Sequence, residues 1–290
     1  MKILITGANG TIGSDLANFF SKKNKVYALY RTPNFVLNKI KNKNLKWIKH
    51  DLKNSIKSNI NPNVIIHCAV THPFSKNYSY LDYLNSNVIA LKNTIEFANK
   101  KKIKYFFYLS SFKIYGVINK NIHKDCNIFN EPDLLGATKI ISEKMLEMQN
   151  FKYFNIRLPG VLCYIIDEPR RPWLNLIINN FINNKIVNVY NANKSFNNII
   201  DTIEIYKFIN HILNKKIVKK GSLDLSATSP IKIKTMINNL KNNLSSKSKI
   251  NFKKEKTNNY IISAKKSLNI YKFKAEKTSE IIKRYIKKFN

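Results

Sequence analysis

The chain has 290 residues, 44% of them hydrophobic and 12% aromatic, which is enough to bury a substantial core in one large domain or in a main domain with a smaller companion. Its longest apolar runs are of strand length, which excludes a transmembrane helix and predicts no membrane insertion, and its first residues read as a core strand, from which we expect no cleaved signal peptide. A net charge of +34 could indicate a nucleic-acid or anionic-surface partner, but arginine occurs at only five positions, so we favour a compositional bias toward lysine and expect no specific nucleic-acid binding.

Through the first half of the chain, short apolar runs alternate with longer segments of helical periodicity. The predicted strands are residues 2–6, 25–30, 45–49, 63–70, 105–110 and 153–158, and the predicted helices are residues 14–23, 84–100 and 134–148. Strands that are apolar throughout are expected where both faces of a sheet are covered. The alternation predicts an α/β fold, a Rossmann-type doubly wound parallel sheet whose ligand lies beyond the carboxyl ends of the strands.

After about residue 167 the regular alternation weakens. Helices are predicted at residues 173–184, 202–214, 233–244 and 278–288, and strands at residues 187–190 and 222–226. No linker is long or polar enough to separate independent domains. We therefore assign residues 1–166 and 196–226 to a dinucleotide-binding Rossmann domain, and residues 167–195 and 227–290 to a smaller C-terminal region.

The first predicted strand runs directly into a glycine-rich turn and then into a helix. Gly7 allows the tight turn, Gly10 lets backbone N–H groups approach a pyrophosphate, and Gly13 lets the helix pack closely on the sheet. The positive end of the helix dipole then faces the phosphates. The strand before the glycines and the helix after them supply the context that this motif needs, so the sequence predicts a bound dinucleotide.

Several motifs in a fixed order resemble those of one enzyme family. They are Thr6-Gly7-Ala8-Asn9-Gly10-Thr11-Ile12-Gly13, His50-Asp51-Leu52, Val64-Ile65-Ile66-His67-Cys68-Ala69, Asn87-Val88, Leu109-Ser110-Ser111-Phe112-Lys113-Ile114-Tyr115-Gly116, Arg157-Leu158-Pro159-Gly160-Val161 and Gly221-Ser222-Leu223-Asp224-Leu225-Ser226. In this order they are similar to the extended short-chain dehydrogenases/reductases of the epimerase/dehydratase type, most of which act on nucleotide sugars. The resemblance covers nearly the whole chain. It implies an NAD(P)-dependent epimerase, dehydratase or ketosugar reductase that works by hydride transfer on a nucleotide sugar.

The resemblance also implies which residues bind the cofactor and the substrate. The implied cofactor-binding residues are Gly7, Asn9, Gly10, Thr11, Ile12, Gly13, Arg31, Asp51, Leu52, Ala69, Lys139 and Pro159. Ser111 is expected to hold the sugar oxygen, and Lys139 the nicotinamide ribose. The smaller region is expected to bind the substrate, with Arg170 and Arg171 on its diphosphate and Trp173 against its base. A surface salt-bridge pair and a core tryptophan are the alternative.

The chain departs from the family at the position of the proton donor. The family has a tyrosine four residues before the lysine, but residue 135 here is a leucine, which has no proton to exchange. Another acid could serve, with Tyr115 the nearest candidate, although a structural role for Tyr115 is favoured. The proton could instead come from water or substrate, or the protein could bind cofactor and sugar without turnover, in a regulatory role. We favour an enzyme with Ser111 and Lys139 as its catalytic residues, because both are present.

The second predicted strand bears on the choice of cofactor. An acidic residue at the end of this strand usually holds the ribose hydroxyls of NAD, and none is present here. Arg31 stands there and could pair with the 2′-phosphate of NADP. The alternative is that Arg31 stacks on adenine or faces water. We therefore favour NADP over NAD.

The remaining expectations concern partners and location. The family often dimerises through the helices predicted near residues 84–100 and 134–148, so the resemblance implies a homodimer. Cys68, Cys126 and Cys163 are far apart and in no metal-binding pattern, which predicts thiols in a reducing cytoplasm and no metal site. Glu204 stands where the family usually has an acidic residue before its interdomain helix, and a structural role is expected for it.

Overall fold

Strands and helices follow one another in the alternating order that the sequence predicts. The computed structural model describes residues 1–71, 79–119, 122–124, 126–166, 172–254 and 259–289. In chain order its strands are β1 (Lys2–Thr6), β2 (Lys25–Tyr30), β3 (Leu45–Lys49), β4 (Val64–His67), β5 (Tyr105–Ser111), β6 (Ile122–His123), β7 (Lys152–Leu158), β8 (Gly160–Leu162), β9 (Val187–Val189), β10 (Ser195–Phe196), β11 (Ile199–Asp201), β12 (Gly221–Asp224), β13 (Ile231–Lys232), β14 (Ile250–Phe252) and β15 (Ile261–Ile262). Its α-helices are α1 (Thr11–Ser21), α2 (Val36–Lys39), α3 (Tyr80–Tyr83), α4 (Ala90–Lys100), α5 (Leu134–Glu147), α6 (Pro172–Ile182), α7 (Thr202–Asn214), α8 (Ile233–Asn243), α9 (Lys265–Tyr271) and α10 (Thr278–Ile286).

Seven of the strands form one sheet in the order β3-β2-β1-β4-β5-β7-β12. The five pairings from β3 to β7 are all parallel. The chain order reverses between β1 and β4, which is the switch point where open α/β sheets of this kind bind their ligand. The prediction of a Rossmann-type α/β fold is therefore confirmed.

The chain divides into two compact units. The first comprises Met1–Val117, Asn127–Leu158 and Ile209–Leu223, and the second Ile118–Cys126, Pro159–Phe208 and Asp224–Asn290. The first unit contains the sheet and the glycine turn. Its core includes Leu4, Ile65 and Phe106, none of which is exposed, because the middle strands are covered on both faces.

Several element boundaries differ from the sequence prediction, and three of these differences have a local reason. Helix α1 begins at Thr11 because Gly10 already serves as its N-cap. Strand β4 ends at His67, which is paired with the last residue of β1, so the chain leaves the sheet there. The helix predicted for residues 84–100 starts as α3 and passes through a π-helical segment, Leu84–Ile89, before it continues as α4.

The second unit combines short strand pairs with helices. The pairs β8–β11, β9–β14 and β6–β15 are parallel, and β10–β13 is antiparallel. Strands of two or three residues carry no periodic signal, which is why the sequence predicts few of them. In the part of the chain that the structure describes, no helix has both the length and the apolar character needed to cross a membrane.

Candidate cofactor site and active site

The turn between β1 and α1 can be built only with glycine at two of its positions. Gly7 has a φ of +61°, and a Cβ atom there would lie 2.8 Å from the Cα atom of Ala69, which follows β4. A Cβ atom on Gly13 would lie 2.1 Å from the Gly7 carbonyl oxygen. The backbone of three segments thus meets at the carboxyl ends of β1 and β4, and side chains are kept out of it.

The start of α1 lies beside this turn and has no side-chain cap. Gly10 is the N-cap, no side chain caps the helix, and its first turn contains no acidic residue. The first N–H groups of a helix lack intrahelical partners and carry its positive dipole end. Thr11 is buried and Ile12 is half-buried, so the predicted phosphate contacts fall to backbone groups. These features fit a dinucleotide pyrophosphate.

Asn9 ties the glycine turn to the loop after β2. Its Nδ2 donates to the Thr32 carbonyl oxygen at 2.7 Å, and its own carbonyl oxygen accepts from Asn34 Nδ2 at 2.9 Å. Arg31 begins this loop and is exposed. The structure therefore holds Asn9 and the loop of Arg31 together at one edge of the sheet.

Asp51 and Leu52 behave differently from each other. The Asp51 carboxylate accepts from the backbone N–H of Lys53 at 3.0 Å, a turn contact that leaves the side chain half-buried. Leu52 belongs to the core of the first unit, and its carbonyl oxygen accepts from Asn93 Nδ2 at 2.8 Å. Contact of either residue with an adenine ring stays a prediction.

Pro159 and Trp173, two further predicted ligand-binding residues, belong to the second unit. Pro159 directly follows β7 and is half-buried. Arg170 and Arg171 lie outside the described residues. The Trp173 ring packs edge-on against Phe196, with ring centroids 5.3 Å apart and planes at 88°, which favours the core reading of this tryptophan.

Lys139 projects from α5 into a buried position. Only 4% of it is exposed, and its Nζ donates to the Leu109 carbonyl oxygen at 2.8 Å and lies 4.5 Å from the centroid of the Tyr108 ring. Burial lowers the pKa of Lys139 to about 8, although the carboxylate of Glu143 and the thiol of Cys68 oppose the shift. With this pKa the ammonium form of Lys139 predominates at pH 7.

Leu135 lies one turn before this lysine on the same helix, 2% exposed. The helix start is clamped to the segment that carries Ser111: Lys113 forms an ion pair with Asp133 at 2.8 Å, and a Cβ atom on Gly136 would lie 2.2 Å from the Lys113 carbonyl oxygen. Ser111 is half-buried, and its Oγ accepts from the Lys113 N–H at 3.2 Å. The structure thus joins the segment of Ser111 to the helix that has Leu135 in place of the tyrosine. Gly136 is not among the residues predicted from the sequence.

Tyr115 is bound into the protein interior. It is 2% exposed, and its hydroxyl oxygen accepts from Arg157 Nη1 at 2.8 Å. The guanidinium carbon also lies 5.2 Å from the centre of the Tyr115 ring. This arrangement favours the structural reading of Tyr115 over a role as proton donor.

A buried carboxylate, Glu143, links α5 to three strands. It accepts from Ser110 Oγ at 2.5 Å, from Ser222 Oγ at 3.0 Å and from Arg157 Nη2 at 2.8 Å. Burial alone would lower the pKa of Arg157, but hydrogen bonds and attraction from Glu143 outweigh it and raise that pKa. Glu143 is not among the residues predicted from the sequence, although its spacing of four residues from Lys139 places both on the same helix face.

His67 ends β4 beside this region and is buried. Its Nδ1 lies 3.0 Å from Thr6 Oγ1, and its ring contacts the rings of Phe106 and Tyr108. Its Nε2 makes no hydrogen bond within the described chain. Burial, and then repulsion from Lys139, lowers the pKa of His67 to about 3, so the ring is neutral near pH 7.

In the second unit Glu204 has the structural role that the sequence suggested. It is buried at the start of α7, and its carboxylate accepts from Lys207 Nζ at 2.8 Å and from Arg284 Nη2 at 3.0 Å. Among the described residues, no group of three or more His, Cys, Asp or Glu side chains is placed to hold a metal ion.

The chain is similar in sequence to a known protein family, and to individual known proteins in sequence or in structure. The model of the NAD dependent epimerase/dehydratase family matches residues 3–225. Protein CapI of Staphylococcus aureus is 26% identical over 242 residues, which are 74% of this chain and 70% of that protein.

Two solved structures show the same fold. A UDP-N-acetylglucosamine 4-epimerase from Methanobrevibacter ruminantium, in complex with UDP-N-acetylmuramic acid, aligns with a TM-score of 0.80 at 20% identity, covering 99% of this chain and 97% of that one. A UDP-glucuronic acid 4-epimerase from Bacillus cereus, in complex with NAD, aligns with a TM-score of 0.79 at 19% identity, covering 100% of this chain and 99% of that one.

Proposed function

The chain belongs to the NAD dependent epimerase/dehydratase family, and from this we propose that it acts on a nucleotide sugar by hydride transfer, as an epimerase, a dehydratase or a ketosugar reductase. The observation that carries the proposal is the glycine turn, where Gly7 and Gly13 leave no room for side chains beside the uncapped start of α1. The two solved structures named above are those of nucleotide-sugar 4-epimerases, one in complex with UDP-N-acetylmuramic acid and the other in complex with NAD.

When bound, a nicotinamide accepts hydride from a sugar carbon or returns it. In the proposal, Ser111 Oγ holds the sugar oxygen and the Lys139 ammonium donates to the nicotinamide ribose. The other proposed cofactor contacts come from the glycine turn and from Asp51, Leu52, Ala69 and Pro159. Residues 1–166 and 196–226 are proposed to bind the cofactor and residues 167–195 and 227–290 the substrate, with Arg170 and Arg171 on its diphosphate.

Hydride transfer to or from a sugar is accompanied by transfer of a proton. Position 135 has a leucine in place of the tyrosine that would transfer this proton. Loss of a general acid–base group costs about 10²–10⁴ in rate, so slow turnover remains compatible with Leu135. The buried position of Leu135 also supports the second candidate function, a cofactor- and sugar-binding protein that acts without turnover. The two candidates differ in a single measurable quantity, the rate of conversion of the sugar.

The decisive experiment is proton NMR of a panel of nucleotide sugars incubated with the protein and with each nicotinamide cofactor, oxidised and reduced. A changed sugar resonance identifies substrate and reaction and supports the enzyme. Unchanged sugars with a bound cofactor support the binding protein. Leu135→Tyr should raise a detectable rate or create one, while Leu134→Tyr, at an exposed neighbouring position, is the matched control.

For the cofactor, we propose NADP because Arg31 is exposed at the end of β2 and no acidic side chain stands there. Arg31→Asp should weaken NADPH binding by at least about tenfold more than NADH binding, since it removes one charge-assisted contact and adds a repulsive one. Lys41→Asp, an equal charge change farther along the chain, is the control. Equal losses for both cofactors would leave NAD as the better proposal.

We also propose a cytoplasmic location and a homodimer. Cys68, Cys126 and Cys163 are reduced thiols in the described part of the chain, and reduced thiols suit a reducing compartment. Exposed apolar side chains on α3 and α5 support the homodimer.

A further inference from the structure

A cluster of lysines lies at the amino ends of the parallel strands. An open pocket of about 450 Å³ lies there, formed by residues 61–63 before β4 and by four lysines at the end of α4 and in the turn to β5, namely Lys100, Lys101, Lys102 and Lys104. The glycine turn follows the carboxyl end of β1, whereas this pocket lies at the amino ends of β4 and β5. The two sites therefore lie at opposite ends of the parallel strands. A strand of five residues is about 17 Å long, and this is the approximate distance between its two ends.

The charge of this lysine pocket is uncompensated. None of its lining residues is acidic, and the ion pairs formed among the described residues involve none of its four lysines. The nearest acid on the helix, Glu96, is already paired with Lys92 at 2.8 Å. The carbonyl end of α4 contributes only about half a negative charge against four ammonium groups.

The walls of the lysine pocket are fixed by backbone hydrogen bonds. Lys104 N–H donates to the Asn63 carbonyl oxygen at 3.1 Å, and Asn63 N–H donates to the Lys2 carbonyl oxygen at 2.8 Å, which joins the two walls to β1. Lys102 has a φ of +48°, in the left-handed region where glycine is usual at the end of a helix. The lysines therefore extend from a rigid frame.

We propose that the lysine pocket binds the phosphates of a di- or triphosphate. Lysine ammonium groups act as mobile point charges, which suits a chain of phosphates whose oxygens face several directions. Lys152 begins the neighbouring strand β7, with its N–H bound to the Lys104 carbonyl oxygen at 3.2 Å, and adds to the positive field. Free pyrophosphate or tripolyphosphate and the phosphates of a nucleotide share this chemistry.

The test is calorimetric titration of the full chain with tripolyphosphate and with a nucleoside triphosphate at about 0.1 M salt. The variant Lys100→Gln/Lys102→Asn/Lys104→Gln should bind both at least about tenfold more weakly, since it loses three of the four charges. Asn is used at residue 102 because it tolerates a positive φ. The control is Lys247→Gln/Lys249→Gln/Lys253→Gln, with three exposed lysines of the second unit and the same loss of charge.

Unchanged binding by the control together with weakened binding by the pocket variant supports the site. If the wild type binds the nucleotide more tightly than tripolyphosphate and the pocket variant loses this difference, the ligand of the pocket is a nucleotide. If the wild type binds both equally, the pocket recognises the phosphates alone. Equal weakening in both variants would show general attraction to a basic surface and would overturn the proposal, as would absence of tripolyphosphate binding. Unaltered melting of both variants confirms that they fold.

Discussion

At the residue scale, the ion pair of Glu143 and Arg157 is the most consequential buried contact near the candidate active site. Both side chains are almost fully buried, and their contacts with Ser110 and Tyr115 reach the two ends of the segment that contains Ser111. Removal of one partner of a buried pair leaves an uncompensated charge, which costs more than the pair itself contributes.

Arg157→Met should therefore lower the free energy of unfolding by about 3–5 kcal/mol, because it leaves the Glu143 carboxylate buried and unpaired. Addition of Glu143→Gln should recover part of that loss, which denaturant unfolding of both single variants and the double variant will measure. Lys144→Met/Glu147→Gln is the control, since it removes an exposed ion pair from the same helix and should cost less than about 1 kcal/mol. Strictly additive effects of the two buried substitutions would contradict the coupling.

His67 should make the fold sensitive to acid. Its pKa is about 3 in the folded protein and 6.5 in the unfolded chain, so between these values the unfolded chain takes up a proton that the folded chain refuses. The stability associated with the neutral ring is complete above pH 6.5 and is lost as the pH falls. Between pH 7 and pH 5 the wild type should lose about 2 kcal/mol more than His67→Gln.

Urea unfolding of both proteins across this pH range measures the difference. His50→Gln, at a partly exposed histidine, serves as the control for the exchange itself. Parallel pH curves for the wild type and His67→Gln would show that the ring carries a proton in the folded state, contrary to the burial seen here.

At the element scale, two glycines of the turn from β1 to α1 are expected to have different roles, Gly13 in packing and Gly10 in ligand binding. An alanine Cβ atom at Gly13 would lie 2.1 Å from the Gly7 carbonyl oxygen, whereas at Gly10 its nearest neighbour would be 3.1 Å away. Gly13→Ala should destabilise the protein by about 3 kcal/mol or more, which outweighs the roughly 1 kcal/mol that alanine offers inside a helix.

Gly10→Ala is the matched contrast. It should keep the melting temperature close to that of the wild type and weaken nicotinamide cofactor binding by at least about tenfold, because Gly10 is where a pyrophosphate approaches the backbone. Thermal unfolding and NADPH fluorescence titration separate the two effects. A stable Gly13→Ala protein, or a Gly10→Ala protein with full affinity, would refute the respective assignment.

The same elements show which parts of the protein its sequence predicts. Buried strands such as β1 and β4 are apolar runs bounded by turn residues, and the glycine spacing reports contacts only a few residues apart, so sheet and turn are predictable. The π-helical segment before α4 has no separate periodic signal. Glu143 and Ser222 meet across 79 residues, a contact that depends on the completed sheet and on no local pattern.

At the scale of the whole molecule, the surface is more basic than the composition suggests. The chain has 51 basic and 17 acidic residues. Among the residues that the structure describes, five acidic side chains are buried, those of Asp15, Glu143, Asp201, Glu204 and Asp224, against two basic ones, those of Lys139 and Arg157. Two copies that approach each other therefore repel, and any self-association must overcome this repulsion by apolar contact. Salt screens charges beyond about 8 Å at physiological strength, so self-association should strengthen as salt is added.

Helix α5 offers an apolar stripe for such a contact. Leu134, Ile141 and Met148 recur every seven residues along it or at its end and are 44%, 45% and 83% exposed. Tyr80 and Leu81 on α3 are also more than half exposed. Exposed apolar side chains at this spacing form one face of a helix, which is typical of a helix that packs against another copy.

Ile141→Glu should convert the proposed homodimer into a monomer, because a two-fold interface contains the substitution twice and buries two like charges. We expect the dissociation constant to rise at least about 100-fold, measured by light scattering after size-exclusion chromatography. Ile128→Glu, at an exposed isoleucine of the same unit outside the helix, should leave the mass unchanged. The wild-type dimer should tighten between about 0.05 and about 0.5 M salt as repulsion is screened. A wild type that stays monomeric over this range would show that the stripe on α5 is not a contact between copies, and that repulsion between the two basic surfaces outweighs its apolar area.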